Sequence, residues 1–226
     1  MKILGEAINL IISHDKTLID ILVVTFKMAI SSSIISLLIG VPVGIIYGYK
    51  NHSMNKLLII INRTLMGMPP VVCGLLCYLM FSGVGPLRHL RLLYTIRGMV
   101  IAQVLLITPI VIGTMEPFIE KLYPDMRDTM DGIGLKGSKK LLLLINESKY
   151  EIVTVYLIAF SRAIAEVGAV SMVGGAIVFK TNVMTTAIMN YTNMGDFNMA
   201  MALGIVLLII SLIVNVIATI MQMDKK

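Results

Sequence analysis

Arg162 and Glu166 stand four residues apart in a largely apolar stretch, a spacing that puts both charges on one face of a helix. Charges inside a membrane span face the bundle interior or a cavity and pair with one another. Two readings follow. Either the pair orders the helix that carries it, or it is functional: it belongs to a gate, or Arg162 offsets the charge of a passing anion. Cys73 and Cys77 are also four apart, but consecutive turns of one helix do not supply disulfide geometry, and no His or Asp stands beside them. They read as small packing residues. His14, His52 and His89 are scattered loop residues. The nearest approach to a phosphate-binding loop, residues 134–139, lacks the G-x-x-x-x-G-K-[ST] spacing. No catalytic constellation and no metal site is expected, and if ATP drives this protein, another chain binds it.

Membrane helices must position these charges. Of 226 residues, 57% are hydrophobic and 14% charged, with a mean hydropathy of +0.90. A soluble domain carries about 25% charged residues. At ~20 apolar residues per span, the chain reads as an all-α integral membrane protein of about five transmembrane helices. The spans fall at residues 17–49, 57–81, 98–119, 152–178 and 197–221. This excludes a soluble enzyme with a large polar active site. The net charge of +6 has no zinc, RNP or helix-turn-helix signature beside it, so it points to a lipid bilayer and not to nucleic acid. Residues 1–12 hold one lysine and a short apolar run broken by Glu6, with no small-residue cleavage site, which does not read as a signal peptide.

Within the first span, Thr17 followed by Asp20 has capping-box spacing and predicts the helix start. Ser32, Ser36, Gly40, Gly44 and Gly48 then recur every four residues, a stripe that lets another backbone approach closely. Pro69 and Pro70 remove two backbone donors inside the second span and predict a kink near a pathway or a purely structural one. Thr108-Pro109 predicts another kink in the third. The one sizeable polar segment, residues 120–151, is expected to lie between spans, with a helix starting at Pro124-Asp125 and an amphipathic run over residues 135–146. Its lysines either satisfy the positive-inside bias or line a docking surface. With this segment, the Lys50 loop and the tail on one side, ten basic residues face six on the other. That excess puts the N-terminus outside and the C-terminus in the cytoplasm.

Five spans are few for a secondary transporter, and no internal repeat is found. A half-sized pore with a basic cytoplasmic segment suggests a homodimer docked on a separate motor. A self-contained anion channel or carrier would not need such a segment.

Asp128, Thr129, Met130 and Gly134 take the places of the Glu, the two Ala and the Gly in the E-A-A-x-x-x-G motif of ABC-importer permeases, which this segment resembles in degenerate form. The later I-x-L-P of that family is replaced by residues 144–148. Arg162, Glu166 and Gly168, followed by Gly174-Gly175, resemble the R-A-x-x-E-x-G-A signature of molybdate and tungstate permeases. Residues 66–74 and 185–188 resemble the tungstate branch. The resemblance covers residues 15–222 and implies a type I ABC-importer permease fold over residues 1–226. It further implies a second copy of the chain, a cytoplasmic ATPase dimer that holds ATP and Mg, and an extracytoplasmic oxyanion-binding protein. Asp128, Thr129, Met130, Gly134 and Lys136 are then the expected coupling residues. Arg162, Glu166, Gly168, Pro69, Pro70 and Thr108 are the candidates for the pathway or gate. The substrate expected is tungstate, with molybdate or sulfate as the alternative, in a cell membrane of the prokaryotic type.

Overall fold

Asp15 Oδ1 accepts the Leu18 N–H at 3.0 Å, so the first long helix begins at Lys16 and not at a Thr17–Asp20 box. The computed structural model describes residues 2–49, 53–135 and 137–223, and among these there is no strand. The helices are α1 (Lys2–Ile12), α2 (Lys16–Tyr49), α3 (Ser53–Met66), α4 (Pro70–Phe81), α5 (Ile96–Gly132), α6 (Ser138–Glu147), α7 (Lys149–Ile164), α8 (Gly168–Gly174), α9 (Met184–Asn193) and α10 (Phe197–Met223). A short 3-10 turn covers Arg88–Leu90. His52, Lys136 and the Asp224–Lys226 tail lie outside the described residues.

Among the described residues, three helices are long and apolar enough to cross a bilayer: α2, α5 and residues Phe197–Met221 of α10. Two bent pairs are apolar enough as well, and the count is five when each pair is taken as one span. Lys56–Met66 of α3 joins α4 through a 98° bend, and α7 joins α8 through a 59° bend.

Several boundaries differ from expectation, each for a physical reason. The second span is broken outright at residues 67–69, because Pro69 precedes the helix and Pro70 occupies its first position, where a missing N–H costs nothing. The fourth span is broken at residues 165–167 and ends at Gly174, since Gly175 takes a left-handed conformation with φ 68°. The third span does not stop near residue 119. It runs through Pro109, Pro117 and Pro124 to Gly132, so Pro124 lies inside α5 and starts nothing. A proline costs ~3 kcal/mol in an isolated helix interior. Pro109 and Pro117 lie in the stretch that packs along α2, which offsets that cost, while Pro124 lies beyond the end of α2 and is exposed. The segment 120–151 is therefore the end of α5, the separate helix α6 and the start of α7. Helices α1 and α9 are additional to the expected elements.

The core forms where α2 lies along α5. A Cβ added at Gly48 would come within 2.6 Å of Ile119 Cβ and 2.7 Å of the Glu116 carbonyl oxygen, and one at Gly44 within 2.7 Å of Met115 Cβ. The four-residue repeat is a packing stripe, as its spacing suggests.

Relative sidedness follows from these contacts. The Glu6 carboxylate accepts from Asn198 Nδ2, so α1 lies beside the first turn of α10. Lys140 of α6 sits over the Tyr49 ring at the far end of α2. Helix α6 and the end of α10 thus share one face, and α1 shares the other with the residues joining α4 to α5.

Candidate functional site

Two breaks in two different spans meet at one place. Helix α7 ends with Arg162 in its last turn, where a cation suits the negative end of the helix dipole. Glu166 follows in the break. Its Oε2 lies 2.7 Å from Arg162 Nη1, and its Oε1 accepts the Ala169 N–H at 3.2 Å, satisfying an orphan donor of α8. The Thr185 hydroxyl donates to the Glu166 carbonyl at 2.7 Å. The Glu166 side chain is 4% exposed and that of Arg162 36%, so one charge is buried and its partner reaches the surface of the chain.

The break frees the Ala163 carbonyl, which would otherwise accept from residue 167. Gln103 Nε2 of α5 donates to it at 2.8 Å, and Ser32 of α2 donates to Gln103 Oε1 at 2.6 Å. Both Gln103 and Ser32 are fully buried. An orphan carbonyl left without such a donor would cost ~1–3 kcal/mol.

Helix α4 packs directly on α8. A Cβ at Gly168 would meet Val71 Cγ2 at 2.8 Å, and one at Gly74 would meet Ala169 Cα at 2.7 Å. Pro69 and Pro70, which begin α4, are thereby brought to Gly168 and Glu166. Of the six pathway candidates, Thr108 is the exception. Its hydroxyl is buried and has no hydrogen-bond partner among the described residues, and its carbonyl lies 3.3 Å from where a Gly40 Cβ would stand, between α2 and α5. Cys73 and Cys77 are both buried as free thiols on α4, in agreement with a packing role.

A second charged pair is visible only in three dimensions. Arg63 Nη2 of α3 lies 3.4 Å from Glu116 Oε2 of α5, with the glutamate 7% exposed and the arginine 64%. The neighbouring Asn62 donates to the Pro109 carbonyl at 3.0 Å. A separation of 53 residues between Arg63 and Glu116 gives no spacing signal in the sequence.

The far end of α5 carries the expected coupling residues. Asp128 and Thr129 are exposed in its last turns, whereas Met130 is fully buried against the core. The Gly134 N–H donates to the Asp131 carbonyl and the Leu135 N–H to the Met130 carbonyl, with Gly134 at φ 68°. This is a Schellman turn, and the left-handed residue it needs is glycine. Lys140 Nζ then donates to the Tyr123 hydroxyl at 2.7 Å and lies 3.4 Å from Asp131 Oδ1. It also sits 4.8 Å from the Tyr123 ring centroid. The hydrogen bond that the Lys140 ammonium donates to Tyr123, reinforced by Asp131, raises the Lys140 pKa above the ordinary lysine value. One lysine thus ties α6 to α5 and to the end of α2.

The family described as "Binding-protein-dependent transport system inner membrane component" matches residues 40–223. The chain is 35% identical to the tungstate uptake system permease protein TupB of Peptoclostridium acidaminophilum, over 93% of this chain and 92% of that one. It is 33% identical to a probable anion ABC transporter permease protein of Haloferax volcanii, over 88% of each chain. The Campylobacter jejuni TupB is 32% identical over 94% of this chain and 89% of its own. With broken spans, a shared polar break and a glycine turn on the motif positions, this chain belongs to the inner-membrane permease components of binding-protein-dependent ABC transport systems.

Proposed function

We propose that this chain is the permease subunit of an ATP-driven tungstate importer, forming the translocation pathway as a homodimer. The observation that carries the substrate is the 35% identity to a tungstate uptake permease along nearly the whole of both chains. Residues 1–226 act as one transmembrane domain, with α6 and the C-terminal end of α10 in the cytoplasm and α1 outside. A cytoplasmic ATPase pair supplies ATP and Mg, and an extracytoplasmic binding protein delivers the anion.

The break at Glu166 supports a pathway nearby. Irregular backbone at membrane depth is tolerated where protein or a water-filled cavity covers it. Arg162, partly neutralised by Glu166, attracts a dianion without holding it tightly, and conduction requires that the ion leave again. The exposed Asp128 and Thr129, beside the Gly134 turn, form the surface offered to the ATPase. The exposed apolar faces of α4 and α10 are covered by lipid and by the second copy.

The test is uptake into proteoliposomes holding this chain, its ATPase and its binding protein. ATP-dependent accumulation of tungstate, with two copies of this chain by mass, is the expected result. Accumulation of sulfate or molybdate in preference to tungstate would reassign the substrate. Accumulation without the ATPase would make the chain a channel or carrier.

A further inference from the structure

On the face opposite α6, the residues joining α4 to α5 carry Arg88 and Arg91, Arg97 stands in the first turn of α5, and Lys180 follows α8. Basic residues are ordinarily retained on the cytoplasmic side, so four on this face oppose the general bias. Three of them converge. Arg91, Arg97 and Lys180 line one cavity of about 420 Å³ together with Thr95 and Leu92. No carboxylate lines it, and none of the three cations has an ion pair among the described residues.

The cavity is held by fixed backbone. Arg91 adopts a left-handed conformation with φ 47° at the end of the 3-10 turn. The Tyr94 N–H donates to the Val173 carbonyl at 2.9 Å, and the Thr95 hydroxyl accepts the Gly98 N–H at 3.1 Å. Across from them the Thr181 hydroxyl donates to the Gly174 carbonyl at 2.6 Å and accepts the Ile177 N–H, which closes the loop that presents Lys180. Both walls are thus pinned to the end of α8, whose other end is pinned by Glu166 to Arg162. Seven residues of helix span roughly 10 Å.

We propose that Arg91, Arg97 and Lys180 form a vestibule that receives a tetrahedral oxyanion dianion and passes it along α8 to Arg162. The proposal rests on the reading of this chain as an oxyanion permease. Three exposed cations lining one open depression without a carboxylate make its local potential positive, which favours a dianion there. At ~30 Å³ per water, the cavity holds roughly a dozen waters, so the anion enters hydrated and is bound loosely. Clefts lined by one sign of charge raise the encounter rate of an opposite ion by about 10–10³-fold, an effect that salt suppresses.

The experiment compares the native sequence with the triple variant Arg91→Gln, Arg97→Gln, Lys180→Gln, and with the single exposed change Lys180→Glu in case the triple variant folds poorly. The chain is purified with its ATPase in neutral detergent, and tungstate and sulfate binding are measured directly at low and high salt. Tungstate uptake is then measured in proteoliposomes with the binding protein present. The expected result is at least a tenfold loss of oxyanion affinity and of low-salt uptake in the variants, with a flattened salt dependence. Unchanged affinity and salt slope would overturn the proposal. Selective retention of phosphatidylglycerol by the native sequence, with tungstate affinity equal in both proteins, would overturn it in favour of a lipid-headgroup site. Loss of binding-protein capture with oxyanion affinity intact would overturn it in favour of a protein contact. Oxyanion binding by the native sequence without tungstate transport would leave the vestibule standing and reject the tungstate reading.

Discussion

Arg162 Nη1 lies 2.7 Å from Glu166 Oε2, although the helix that carries Arg162 ends at Ile164. The bond therefore spans a helix break and, with the Ala169 N–H on the other carboxylate oxygen, fixes the 59° turn between α7 and α8. A four-residue spacing meant to order one helix instead joins two.

Removing one partner strands the other. Breaking a buried pair costs about 3–5 kcal/mol, and Glu166 is the buried member. Glu166→Ala, which also loses the bond to Ala169, should lower folded yield more than Glu166→Gln, which keeps an oxygen for that N–H. Arg162→Ala should lower it as well, and the double change to alanine should recover part of the yield. Yield by size-exclusion chromatography and uptake normalised to folded protein check this. Equal yields for all four would mean that the charges are solvated.

The contact of α4 on α8 leaves no room for a side chain at Gly74. Gly74→Val should cost about 1–3 kcal/mol through overpacking, because the nearest atom is Ala169 Cα and backbone cannot step aside. Gly204, with nothing within 4 Å of its added Cβ, is the control. Gly204→Ala, inside α10, should hold or slightly raise thermal stability in detergent, since alanine suits a helix interior better than glycine, while Gly74→Val lowers it.

Gly134 is a conformational requirement of the turn that ends α5. Gly134→Ala should cost roughly 1–2 kcal/mol, the penalty of a left-handed L-residue, and loosen the segment leading to α6. Asp128→Lys leaves that turn intact and reverses an exposed charge. It should weaken ATPase recruitment, with a loss of about 2–5 kcal/mol if the charge is desolvated on docking. Met130→Ala acts differently, through a core cavity worth about 2–5 kcal/mol. Membrane sedimentation of the ATPase, beside thermal stability of the permease alone, separates the three.

Lys140 carries a raised pKa because its charged form is hydrogen-bonded to Tyr123. The stabilisation it provides is complete below the ordinary lysine value and lost as pH rises through the higher folded value. Hydrogen exchange in α6 should therefore be flat between pH 6 and 9, after correction for intrinsic rates, and accelerate in strong alkali. Lys140→Met should show fast α6 exchange at every pH. A pH-independent native profile extending above the ordinary lysine value would place the anchor elsewhere.

Composition and hydropathy alone determined the membrane class, because burial in lipid demands apolar residues whatever their neighbours are. The small-residue stripe from Ser32 to Gly48 and the double proline at residues 69–70 were equally legible, since each acts through local backbone geometry. The break after Ile164 was not, because no proline or left-handed glycine marks it. It exists because α4 packs against Gly168, Gln103 accommodates the freed Ala163 carbonyl, and Glu166 caps α8. The continuation of α5 through Pro109 and Pro117 likewise rests on tertiary contact: packing along α2 outweighs a local penalty. Pairing of Arg63 with Glu116, and convergence of Arg91 and Arg97 with Lys180, join residues far apart in the chain. Local spacing carries helix and turn, while the tertiary arrangement alone decides which charges meet.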